Sequence, residues 1–122
     1  MPNPGAFIKS YTAEAAVPGR RIVKFGSAAG AIVAAAAATD AAIGITDQLD
    51  AAQGMLTDVI MSGSAELKMS GTGAAGAPVT ANASGLGVAA SAGAGNVAIG
   101  YALSAWADGD IIDVAIARHS VT

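Results

Sequence analysis

Residues Gly71-Thr72-Gly73-Ala74-Ala75-Gly76 match the G-x-G-x-x-G spacing of a dinucleotide-binding loop. That chemistry requires the glycines to open a helix, whose first amides hold the pyrophosphate. Here Pro78 and a strand-like run follow, and no acidic residue stands about twenty positions on to meet a ribose. A flexible glycine-rich loop is expected. Asp108, Asp110 and Asp113 could offer oxygens to calcium, but a calcium loop must fold back around its ion. Asp110 already begins an alternating apolar strand, so a turn with a solvated edge is the better reading. Asp47, Asp50 and Asp58 are spread over a loop and a strand with no spacing that a reaction demands. His119 is the single histidine, near the last residues, in a chain without cysteine. No triad or metal cluster can be assembled around it. The sequence therefore predicts no catalytic residue, no metal and no cofactor, and the chain is read as not an enzyme.

Composition points toward association instead. The 122 residues fit one domain. Hydrophobic residues make up 53%, but alanine alone supplies more than a quarter of the chain and aromatics only 4%. A buried alanine removes little apolar area from water, so the core is thin and an oligomer is expected. The net charge of −3 and six scattered basic residues do not suit a protein that neutralises phosphates, so no nucleic acid is expected. Absence of cysteine fits a reducing cytosol, or any setting where folding cannot wait for oxidation. The opening MPNPGAFIKS lacks the features of a signal peptide. Val88 to Ala107 is uncharged but glycine-rich and without basic flanks, so no membrane span is expected.

Gly, Pro, Asn and Asp punctuate the chain every eight to twelve residues or so, the spacing of strands in a small barrel or sandwich. Strands are expected at Phe7 to Thr12, Arg20 to Phe25, Ala42 to Thr46, Met55 to Met61 and Ala65 to Met69. The run Ala31 to Ala38 is ambiguous between helix and strand and is read as a strand. Pro78 to Ala81 and Leu86 to Ala89 form a hairpin around Asn82 to Gly85. Asn96 to Trp106 is expected to be the longest strand, and Asp110 to Ala117 alternates with period two. No fixed-period repeat is read, which argues against a solenoid. The stretch Met69 to Ala107 carries no charge, and part of it is expected to face another subunit. Tyr101 and Trp106, large rings in an aromatic-poor chain, are either core or interface anchors.

The order of several segments carries a resemblance. Val17-Pro18-Gly19-Arg20-Arg21-Ile22-Val23-Lys24-Phe25-Gly26 is followed by Thr39-Asp40-Ala41-Ala42-Ile43-Gly44-Ile45 and Asp58-Val59-Ile60-Met61-Ser62-Gly63-Ser64-Ala65-Glu66. Then come Gly76-Ala77-Pro78-Val79-Thr80, Ile99-Gly100-Tyr101-Ala102-Leu103 and Gly109-Asp110 through Ile116. This succession resembles the capsid cement, or head decoration, proteins of tailed bacteriophages, and the Thr39 to Ile45 step is similar to the lambda-type decoration proteins. The resemblance implies an all-β fold, a small single-domain β-barrel or β-tulip-like domain. It also implies a homotrimer at local threefold positions on the outer capsid surface, made in the host bacterial cytoplasm. Its partner would be the major capsid protein, whose neighbouring subunits it would bridge.

Residues 1–16 are expected to form an extended N-terminal arm, and residues 17–122 the barrel. An arm alternating Phe7, Lys9, Tyr11 with Ile8, Ser10, Thr12 could add a strand to a partner's sheet edge. Three such arms in a trimer would act together. Phe7, Ile8, Tyr11 and Trp106 are thus the candidate partner-binding residues. The alternative reading is a head fibre or host-surface adhesin.

Overall fold

The computed structural model describes residues 7–121. They form β1 (Ile8–Ala13), β2 (Ile22–Phe25), β3 (Ala31–Ala34), β4 (Ala42–Thr46) and β5 (Leu56–Ile60). A second set follows: β6 (Ser64–Lys68), β7 (Pro78–Ala81), β8 (Gly87–Ala89), β9 (Val97–Ala102) and β10 (Ile111–Ser120). The protein is all-β, with no helix among the described residues. Strands β1-β3-β2-β4-β5 close into a barrel, and β6-β10-β9-β7-β8 form a five-stranded sheet. A parallel bridge between Met69 and Gly87 links the outer strands of that sheet, so it too nearly closes.

Alternation explains most of the barrel. Tyr11 and Ala13 on β1, Val23 on β2, Ile32 on β3 and Val59 on β5 fill its interior. The other faces of β2 and β4 turn outward onto the second sheet. Ile22, Ala42 and Ile45 join Leu67, Met69, Val79, Ile99 and Val114 in one shared core. The two parts are therefore one domain. β4 is buried at every position because it serves both cores. A bulge makes this possible: Val23 pairs with Gly44 and Lys24 with Ala42, leaving Ile43 as the extra residue. Ile43 then points into the barrel while Ile45 points into the shared core.

The structure departs from the sequence expectations at three places. Residues 8–13 are not part of an arm: β1 pairs antiparallel with β5 and parallel with β3, and it closes the barrel. Their alternation is that of a strand with one face in a core. Residues 1–6 of the expected arm lie outside the described residues. The alanine run forms strand only at Ala31–Ala34. Beyond it the Asp40 carboxylate accepts the amides of Ala36 and Ala37 at 2.8 and 3.1 Å, bending the chain. β9 stops at Ala102, short of Trp106, and β10 is the longest strand at 10 residues.

Candidate functional site

The four candidate residues fall in two unlike settings. Phe7 and Ile8 are 56% and 50% exposed, whereas Tyr11 and Trp106 are buried. Tyr11 sits under the rim of the barrel. Its ring meets Phe25 edge-on at 5.8 Å between centroids, and its hydroxyl points to Met61 Sδ at 3.7 Å. Lys9 Nζ lies 5.9 Å from the same ring. Met61 in turn donates its backbone N–H to the Phe7 carbonyl at 2.7 Å. Phe7, Lys9 and Phe25 thus gather around the barrel mouth with Tyr11 and Met61 beneath them. Phe25, 55% exposed, was not singled out from the sequence, where it reads only as the end of a strand.

The backbone at this rim is half used. Bonds from Met61 N–H to Phe7 and from Ala13 N–H to the Met55 carbonyl set the phase of the β1–β5 ladder. In that phase the main-chain groups of Ile8, Ser10 and Thr12 face away from β5. Thr12 N–H reaches the Gly30 carbonyl at 2.9 Å, and β3 pairing starts only there. No described strand pairs with β1 at Ile8 or Ser10. This short stretch is an open edge, able to accept a strand from a partner.

Trp106 is structural. It is 4% exposed, its Nε1–H donates to the Ser70 carbonyl at 3.1 Å, and its backbone forms a two-bond bridge with Gly73. The glycine-rich segment 71–76 is the loop that seats this indole: any Cβ at Gly73 would collide with the six-membered ring. It opens no helix, so the pyrophosphate chemistry of its spacing has no support here.

The acidic residues that might have held metal mostly clasp loops instead. Asp108 accepts Gly71 N–H at 2.9 Å, Asp110 accepts Ala107 N–H at 2.8 Å, and Asp50 accepts Gly19 N–H at 2.8 Å. Glu14 takes the amide and hydroxyl of Ser27, both at 2.8 Å. Bonds from Ser27 and the Ala28 amide hold its carboxyl below the usual range. Asp40 is also lowered, first by the Ala36 amide and then by Lys24, whose Nζ is 3.1 Å away. Among the described residues no group of three or more His, Cys, Asp or Glu could hold a metal ion. No described helix is long and apolar enough to cross a membrane.

His119 stacks on Tyr101 at 4.8 Å with the planes 15° apart. Its Nδ1 lies 2.7 Å from the Ala117 carbonyl, which can only accept, so Nδ1 carries the hydrogen. His119 borders an open groove of about 530 Å³ between barrel and sheet, lined by Ala41, Met61, Val97, Ile116 and Arg118 among others. Ser120 also lines the groove, and among the described residues lining it there is no carboxylate.

No protein-family model matches the chain, and no curated protein matches it in sequence. Among solved structures it is similar to the N base of the head fibre gp8.5 in bacteriophage phi29. The TM-score is 0.70 at 18% identity, over 92% of this chain and 94% of that one. At this identity the likeness is one of fold, and it runs through the barrel and the second sheet alike.

Proposed function

We propose that this chain is a structural, non-enzymatic protein of a phage head, carried on the outer surface of the shell as capsid cement. The observation that carries the reading is the fold shared along nearly its full length with the base of a phage head fibre. The ordered motifs from Val17 to Ile116 that resemble the cement proteins support it independently. In this reading the partner is the major capsid protein, and the chain is a homotrimer that bridges neighbouring capsid subunits after synthesis in the bacterial cytoplasm. The contact is the barrel rim at β1: the open edge at Ile8 and Ser10, with Phe7 as its apolar anchor. An added strand brings directional main-chain bonds, and exposed aromatics bring area with little entropy to lose.

The same structural neighbour favours a second reading, in which the domain is the base of a head fibre and the shell is its anchorage. Both require binding to the head and differ in what binding does. The test is co-sedimentation with empty shells of the phage's major capsid protein, followed by calorimetry of the decorated shells. Binding with a raised shell melting temperature supports cement. Binding at few sites with unchanged melting supports a fibre base. No binding to either immature or expanded shells would overturn both.

A further inference from the structure

The barrel and the second sheet are one topology used twice. Read around the ring from β1, the order is β1-β5-β4-β2-β3; read from β6, it is β6-β10-β9-β7-β8. Each antiparallel pairing in one has its antiparallel counterpart in the other. The parallel β1–β3 contact is answered by the parallel Met69–Gly87 bridge. Individual hydrogen bonds correspond as well. Met61 N–H to Phe7 O at 2.7 Å matches Ile116 N–H to Gly63 O at 2.9 Å. Ala13 N–H to Met55 O at 2.8 Å matches Met69 N–H to Asp110 O at 2.7 Å. The Val17–Ala51 bridge matches Gly73–Trp106. Left-handed glycines recur at Gly54 and Gly109, with φ of 86° and 87°. The interiors correspond too, with Tyr11 for Leu67, Val23 for Val79 and Val59 for Val114.

The two units meet through unlike surfaces. On the first, Ile22, Ile45 and Ile60 lie side by side across β2, β4 and β5. The second unit covers this row: Ile22 and Ile45 are 0% exposed and Ile60 packs against the shared core. The covering surface includes the β7–β8 turn, the β6 edge and parts of β9 and β10. Ile22 N–H donates to Gly85 O at 2.9 Å, Lys68 N–H donates to Arg20 O at 3.2 Å, and Arg20 pairs with Glu66 at 3.1 Å. Each surface has a free counterpart on the other unit. The row matching Ile22–Ile45–Ile60 is Pro78–Tyr101–Ala115, in the same register on β7, β9 and β10, and Tyr101 is 41% exposed. The turn matching Gly85 is at Gly30, with φ of 75° against 76° and open space around it. Next to that turn stands the exposed Phe25 at the end of β2.

We propose that the chain is a tandem duplication whose units stack head to tail, and that a second copy of the chain continues the stack. The Pro78–Tyr101–Ala115 face of one chain seats the first unit of the next, at its Phe25 and Gly30 rim. A contact between unlike surfaces leaves one of each free at the ends, so it repeats until a ring closes or a filament grows. The copy already seated on the equivalent row within the chain points to the occupant; Pro78 has no N–H to repeat the Ile22–Gly85 bond, so the seat there is apolar. The contact forms without a capsid, so its failure would remove self-association in solution while shell co-sedimentation still tests attachment to a head.

Purified full-length protein tests it, by light scattering and native mass spectrometry across concentration. The wild type should form dimers and larger species. Tyr101→Glu and Phe25→Glu each spoil one face and should each weaken self-association by more than about tenfold. Mixed in equal amounts, the two variants keep one good face of each kind and should recover a dimer that goes no further. Both side chains are exposed, and a melting curve checks that each variant stays folded; Tyr101→Ser and Phe25→Ser replace any that does not. A wild type that stays monomeric at millimolar concentration would overturn the proposal. So would variants that fail to complement, or a Phe25→Glu protein that dimerises as well as the wild type.

Discussion

The indole of Trp106 lies flat against the Cα of Gly73, and the two backbones exchange hydrogen bonds of 3.1 and 3.2 Å. In the first unit the matching bridge joins Val17 to Ala51, both buried. The second unit thus carries a large residue facing none where the first has a medium residue facing a small one, and the whole side-chain bulk at this bridge comes from one partner.

Breaking this pair should be costly from either side. Trp106→Ala is expected to destabilise the protein by about 3–5 kcal/mol through the cavity it leaves. Gly73→Ala is expected to cost about 1–3 kcal/mol by forcing the ring out of place. Urea unfolding followed by fluorescence measures the glycine variant, and circular dichroism measures both. A Gly73→Ala protein as stable as wild type would show that the ring has room to shift.

The N-terminal strand gives a second prediction. Deleting residues 1–13 should abolish cooperative folding of the barrel, because Tyr11 and Ala13 leave its interior and the β5 edge is exposed. Calorimetry of the truncated chain should show a broadened or absent transition. A sharp transition near the wild-type temperature would show that β1 is dispensable.

Within that strand, stability and attachment should separate by position. Phe7→Ala and Ile8→Ala remove exposed side chains and should change stability by less than about 0.5 kcal/mol. Tyr11→Ala empties a buried site and should cost about 3–5 kcal/mol. If the rim is the capsid contact, the first two variants lose shell binding while melting as the wild type does. Full binding by a Phe7→Ala, Ile8→Ala double variant would move the contact elsewhere.

Acid sensitivity is the fourth. The Glu14 and Asp40 carboxyls are held below their ordinary values in the folded chain. Their contribution is therefore complete above the unfolded values, about 4.3 and about 3.9, and is lost as pH falls through the lower folded ones. Melting temperature should be flat from neutral pH to about 5 and fall below about 4. Glu14→Gln with Asp40→Asn should lower the neutral-pH value and flatten the acid limb. An unchanged limb would assign it to other carboxylates.

Much of the fold was legible because turns and period-two alternation are local signals. β4, the β7–β8 hairpin and the alternation of Ile112 and Val114 are where the sequence places them. What was hidden is long-range. A strand with one buried face and an arm awaiting a partner share the pattern of Ile8 to Ala13, and only the pairing with β5 separates them. Tyr101 and Trp106 looked alike, yet one is half open and the other sealed, because the chain bends after Ala102 and returns Trp106 to the glycine loop. The internal repeat is hidden in the sequence for a related reason. The identities between the units are scattered and mostly small residues, among them Val23 with Val79, Gly30 with Gly85, Ala42-Ile43-Gly44 with Ala98-Ile99-Gly100, and Gly54, Asp58 and Val59 with Gly109, Asp113 and Val114. In both units the shared glycine, Gly44 or Gly100, is pressed against a carbonyl of the next strand, Ile60 or Ala115, where no side chain fits.

Because both units lie on one polypeptide, a substitution in one need not be mirrored in the other. A homodimer built from a single short gene would have carried tryptophan at both Ala51 and Trp106, and glycine at both Val17 and Gly73, or at neither. Joined through Met61 to Gly63, the halves could diverge position by position while their hydrogen-bond frame stayed fixed. One half was free to fill its interior with an indole, and the other to keep an aromatic rim facing outward.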